Sequence, residues 1–153
     1  VKKTPVGTLR GIAGALRRAA GTPASPWQPQ PPYLALRDVD PRPLAGQAGV
    51  VAVWHLGVRP RWLRIAGGTD LAVLVGALQA QAALRTARAH GGVYLAWAVL
   101  EPAVIAAATA SLVAQLRPAL QTPVLAGELV AGALPPTPFP LPPGTRDVAR
   151  GAG

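Results

Sequence analysis

Proline placement constrains this chain more than any other feature. Seven of the 18 prolines fall between residues 21 and 43, and six more fall in the ten residues 134–143. Proline lacks a backbone N–H and fixes φ near −65°, so neither stretch can run through a helix interior or a central strand. Residues 44–121, with only Pro60, Pro102 and Pro118, remain for regular structure of useful length. The two proline-rich stretches read as extended polyproline II segments. Each carries apolar anchors: Trp27 and Tyr33 in the first, Phe139 and Leu141 in the second. These rings need a covering surface, either on this chain's own domain or in a partner's groove.

Strand and helix signals alternate across residues 44–121. Residues 49–56 (GVVAVWHL) are β-branched and aromatic and predict a strand. Gly57-Val58-Arg59-Pro60 predicts a turn. Residues 61–66 predict the return strand, with Trp62 and Arg64 on one face and Leu63 and Ile65 on the other. After Gly67-Gly68, Thr69 or Asp70 caps a helix carried by Leu71, Leu74, Val75, Leu78, Ala82 and Arg85 to residue 89. His90-Gly91-Gly92 ends it, and residues 93–100 predict a third strand. Glu101-Pro102 opens a second helix through Ile105, Leu112, Val113 and Leu116, stopped before Pro118. The predicted class is α/β (α+β): a small three-stranded sheet with packed helices in the order β-β-α-β-α. The chain divides into a basic arm (1–20), a proline-rich linker (21–43), this domain (44–121) and a proline-rich tail (122–153). The arm predicts an amphipathic helix from Thr4 and Pro5, with Leu9, Ile12 and Leu16 on its apolar stripe. Gly7, Gly11 and Gly14 weaken it by about 1 kcal/mol each, so it is expected to form on a partner.

Composition narrows the function classes. Cysteine is absent, which excludes disulfides, thiol catalysis and cysteine-bound metals. Two histidines and six acids give no metal-cage pattern, and neither a metal nor a cofactor is predicted. Neither Ser25 nor Ser111 sits in a nucleophile-elbow pattern that would join His55 and Asp70 in a triad. Gly67-Gly68-Thr69 lacks the lysine and spacing of a phosphate-binding loop and reads as a strand-to-helix turn. The net charge is +9. It lies on the arm, where Lys2, Lys3, Arg10, Arg17 and Arg18 meet no acid, and on residues 44–121, where six arginines face Asp70 and Glu101. Such a surface suits an acidic protein, nucleic acid or anionic lipid.

No stretch reads as a membrane span: residues 102–116 are fifteen without charge, against the ~20 a spanning helix needs. Residues 11–16 are too short for a secretory core, although the arginine-rich, acid-free start fits an organellar transit peptide in part. The chain begins at Val1 and has no methionine, which fits processing or a GTG start codon. The expected location is the cytoplasm, or a particle assembled there.

The element order, with Gly49-Val50-Val51 opening the first strand, resembles the GIY-YIG nuclease domain over residues 44–121. Arg64-Ile65-Ala66 stands at that family's second strand motif and Thr69-Asp70-Leu71 at its helix entry. Leu116-Arg117-Pro118-Ala119-Leu120-Gln121 is similar to its Pro-x-x-Asn ending. The resemblance implies a scaffold for metal-dependent phosphodiester cleavage. The two tyrosines, the helical arginine and the metal-binding glutamate of that chemistry fall here on Val51, Arg64, Leu74 and Thr109. The departures imply an inactivated copy, since valine and leucine activate no nucleophile and Thr109 cannot replace a carboxylate on Mg²⁺.

The expected function is therefore a non-catalytic structural or adaptor component of a larger protein assembly, a phage or gene-transfer-agent-like particle being one setting. Its partners would be other protein subunits, met by Leu9, Ile12, Leu16, Trp27, Tyr33 and Phe139. The alternative is a nucleic-acid-binding protein on the inactivated scaffold, using Arg59, Arg61, Trp62 and Arg64 to hold phosphates and stack a base. An active nuclease is the lesser alternative.

Overall fold

The computed structural model of the chain describes residues 25–29, 33–56, 60–88, 92–121, 124–129, 139–142 and 148. The basic arm with Leu9, Ile12 and Leu16, together with Arg59, lies outside them. The described elements are β1 (Trp27–Gln28), β2 (Leu34–Ala35), β3 (Gly49–His55), β4 (Arg61–Gly68), α1 (Leu71–Ala80), α2 (Ala82–Arg88), β5 (Val93–Val99) and α3 (Pro102–Leu116). Short 3-10 turns at Leu36–Asp38 and Arg42–Leu44 lead from β2 to β3.

The fold is α+β, with a five-stranded antiparallel sheet where three strands were expected. The extra strands come from the proline-rich stretch. Trp27 and Gln28 pair with Ala98 and Trp97, and Leu34 and Ala35 with Leu95 and Tyr94. Each segment holds only two residues: Pro26 and Pro29 bound the first and remove its ladder donors, and the 3-10 turn at Leu36–Asp38 ends the second. Proline-poor sequence is thus not a condition for joining this sheet: dipeptides between prolines suffice at its edge.

β3 is central, flanked by β4 and β5. All seven of its residues are buried, because both faces are covered. Val51 and Val53 face a core built with Leu71, Leu74, Val75 and Leu78 of α1 and Leu84 of α2. Val50, Ala52 and Trp54 face the other core, with Trp27, Ile65 and Leu112 of α3. The alternation of the strand thus feeds two helical layers, one on each side.

The helix expected over residues 71–89 is two helices. Asp70 caps the first: its carboxylate accepts from the Ala72 N–H at 3.0 Å and from the Gly46 N–H at 3.2 Å. Gln81, extended at φ −69° and ψ 122°, separates them. The break redirects the chain so that Leu84 returns to the same core as Leu78. Gln79 fixes the layer from the side, its amide donating to Leu36 O at 3.0 Å and Val39 O at 2.7 Å.

A β-bulge alters the face assignment of β4. Val53 pairs with Arg64 but Trp54 pairs with Trp62, so Leu63 is the extra residue. Trp62 and Ile65 consequently share one core, while Leu63 and Ala66 lie in the other. The strict alternation that placed Trp62 with Arg64 and Leu63 with Ile65 fails at this one inserted residue. The outer edge of β4 is also occupied: Ala119 N donates to Trp62 O at 3.1 Å, Leu120 N to Leu63 O at 2.7 Å and Leu129 N to Gly67 O at 2.7 Å.

Candidate binding surface at one end of the sheet

The residues singled out from sequence occupy very different environments. Trp27 is fully buried. Its indole N–H donates to Pro140 O at 2.8 Å, and Phe139 meets the ring edge-on with centroids 5.7 Å apart. The linker ring and the tail ring cover each other, so Trp27 is core and not an exposed partner anchor. Half-buried Tyr33 stands edge-on to Trp54 at 5.2 Å and to Tyr94 at 6.0 Å. Trp62 is also buried, 5.5 Å from Trp54, and offers no face to a nucleic-acid base.

Arg64 needs the same correction. It is wholly buried and ion-paired to Glu128, with its Nη1–H donating to Leu120 O at 3.2 Å. Burial pushes its pKa below the ordinary arginine value, and the adjacent Glu128 carboxylate works against that shift. The same carboxylate accepts from Leu125 N at 2.9 Å. Arg64 therefore fastens the chain after α3 onto β4, and no phosphate reaches it.

The four positions matched to the nuclease motif are buried as well. Val51 and Leu74 lie in the α1 core. Thr109 lies on α3, its hydroxyl donating to Ile105 O at 2.7 Å. A Cβ placed on Gly67 would come within 2.6 Å of the Thr109 hydroxyl. At this contact α3 sits directly on β4, with no space for a carboxylate side chain.

Exposed positive charge gathers at one end of the sheet. β3 ends there at His55, β4 begins at Arg61, α2 closes with Arg85 and Arg88, and β5 begins at Val93. α3 finishes at the same end, because Arg117, left-handed at φ 51°, precedes the segment paired with Trp62. Arg37 reaches it from the turn after β2. Arg37, Arg61, Arg85, Arg88 and Arg117 are all exposed. The described carboxylate nearest in the chain to any of them is Asp38, 3.7 Å from the Arg37 Nε in an exposed pair. Asp70 and Glu101 follow β4 and β5 at the opposite end.

Two clefts open among these arginines, on either side of α2. One, of about 280 Å³, is lined by Leu63, Ala83, Ala87 and Leu120 together with Arg61 and His55. The other, of about 290 Å³, is lined by Arg37, Arg88 and Tyr94 with Ala35, Gly92 and Val93. Of the sequence-predicted set, Arg61 alone among the described residues belongs to this surface. Arg37, Arg85, Arg88 and Arg117 were missed as a group because they are dispersed over 81 positions, and only the sheet order brings them to one end. For Arg85, Arg88 and Arg117 the signal was the excess of arginine over acid in residues 44–121; Arg37 lies in the charge-balanced stretch before it.

Among the described residues, no three His, Asp or Glu side chains group as metal ligands, and no helix is long and apolar enough to cross a membrane. No known protein family, characterised protein or solved structure matches the chain.

Proposed function

We propose that the protein is a non-catalytic structural or adaptor component of a larger protein assembly, such as a phage or gene-transfer-agent-like particle. The observation that carries this reading is the charge imbalance at one end of the sheet. Arg37, Arg61, Arg85, Arg88 and Arg117 stand exposed there, while the described acids are mostly committed elsewhere. Glu128 holds Arg64, Asp40 pairs with Arg42, and Asp70 caps α1. Guanidinium groups are recognition groups: they donate hydrogen bonds in a fixed fork and stay charged, so they hold a partner without exchanging protons. The inactivated GIY-YIG-like scaffold is part of the same proposal, and Leu9, Ile12 and Leu16 of the arm would give a second contact.

The test is sedimentation of the tagged chain from its own cells under gentle lysis. The wild-type chain should travel in a complex, and a triple charge reversal at Arg61, Arg85 and Arg88 should return it to the free fraction. A wild-type chain that sediments free would defeat the reading. Purified protein with Mg²⁺ or Mn²⁺ should leave plasmid and single-stranded DNA intact; cleavage abolished by one substitution in this chain would replace the proposal with a nuclease.

A further inference from the structure

The two clefts differ in chemistry, and the difference specifies a ligand. The cleft beside Arg61 has apolar walls from Leu63, Ala83, Ala87 and Leu120. It suits an apolar side chain whose neighbouring anion meets Arg61. The cleft beside β5 presents Arg37 and Arg88, with Tyr94 in its lining. Guanidinium forks match carboxylates bidentately. Resting on the adaptor reading, we propose that this end of the sheet receives an acidic peptide segment of a partner. One apolar side chain would sit in the first cleft and a pair of carboxylates in the second.

The spacing follows from the sheet. The first cleft lies over β3 and β4, and the second over β5 and the edge beyond it. Two strand spacings separate them, roughly 10 Å, which an extended peptide crosses in about three residues. A matching segment therefore carries its carboxylates about three residues from its apolar anchor. Nucleic acid is the competing occupant. Its backbone would find the arginines, but Leu63, Ala83, Ala87 and Leu120 in the first cleft would stay uncovered beneath a sugar–phosphate chain, whereas an apolar side chain fills them. Trp54 and Trp62 are buried, and half-buried Tyr94 already packs against Trp54 and Tyr33, so the described residues here offer no free aromatic platform for bases.

The probe is a fluorescent ten-residue peptide with one leucine and two glutamates placed three and four residues after it. Controls replace the leucine by serine, or both glutamates by glutamine. A ten-nucleotide single-stranded DNA is the rival ligand. Binding to the full chain is read by anisotropy, with amide shifts of Thr86, Ala87 and Gly92 mapped by NMR as a measurement independent of any variant. The parent peptide should bind, shift those amides, and weaken about tenfold in each control peptide and with Arg88→Glu or Ala87→Glu. Tighter binding of the DNA, no peptide binding, shifts confined elsewhere, or folded variants that bind unchanged would each overturn the proposal. Should the peptide fail while the native chain still sediments in a complex that the triple reversal disrupts, the adaptor reading stands without this ligand. A chain that binds the peptide but sediments free keeps the ligand and loses the adaptor reading.

Discussion

The side-chain amide of Gln121 serves Ile65 as a neighbouring strand would. Its Oε1 accepts from the Ile65 N–H at 2.7 Å, and its Nε2 donates to the Ile65 carbonyl at 3.0 Å. Backbone bonds from Ala119, Leu120 and Leu129 serve the same edge on either side. An uncovered strand edge is a template for pairing with other chains. Gln121→Ala should cost about 1–3 kcal/mol by stranding both groups of Ile65. Denaturant melts would measure the loss, and light scattering at rising concentration should show self-association absent from the wild type.

Removing Glu128 while keeping Arg64 leaves a buried cation without its counter-charge. Glu128→Gln should destabilise the chain by about 3–5 kcal/mol. Arg64→Met combined with Glu128→Leu should restore most of that loss, since apolar replacement of a buried pair is often neutral or better. Equal damage from the single and double variants would mean that the stability comes from something other than the charge pair.

Trp27→Ala should cost about 3–5 kcal/mol, the usual effect of emptying a site filled by a large aromatic side chain. Phe139→Ala should cost less, since that ring is only half-buried, and it should raise the emission sensitivity of Trp27 to quenchers. Trp27 as strongly quenched in the wild type as in an unfolded peptide would contradict the packing.

Asp40 accepts hydrogen bonds from the Arg42 guanidinium, at 3.0 and 2.9 Å, which hold its carboxyl below the usual carboxylate range. A depressed carboxylate contributes stability at neutral pH and loses it as pH falls through its folded value. Asp40→Asn should therefore differ from wild type only above the acid range, and the melting curves should merge at low pH. The pair is exposed, so the difference should be small and should shrink in high salt.

The main elements were legible because their signals are local. The β-branched run of β3, the Asp70 cap and the Leu71, Leu74, Val75, Leu78 stripe each sit within one element. What was not legible depends on distant partners. Nothing near Trp27 announces that Pro140 will accept its indole proton, and nothing near Arg64 points to Glu128. The bulge at Leu63 is likewise a property of a strand pair, and it moved the side chains of β4 between faces. The basic end was not legible because its arginines come from one strand, one helix, the end of another helix and a turn.

The seam between Trp27 and Pro140 sets a schedule for biosynthesis. The indole belongs to an early part of the chain, and its acceptor is made 113 residues later. A ribosome adding roughly 5–20 residues per second takes several seconds to cover that interval. Late in it, β3, β4 and α1 can assemble, whereas Trp27 of β1 still lacks Phe139 and its acceptor Pro140. A nascent chain paused before residue 139 carries a bare tryptophan beside an unfinished sheet, the species on which a chaperone would act.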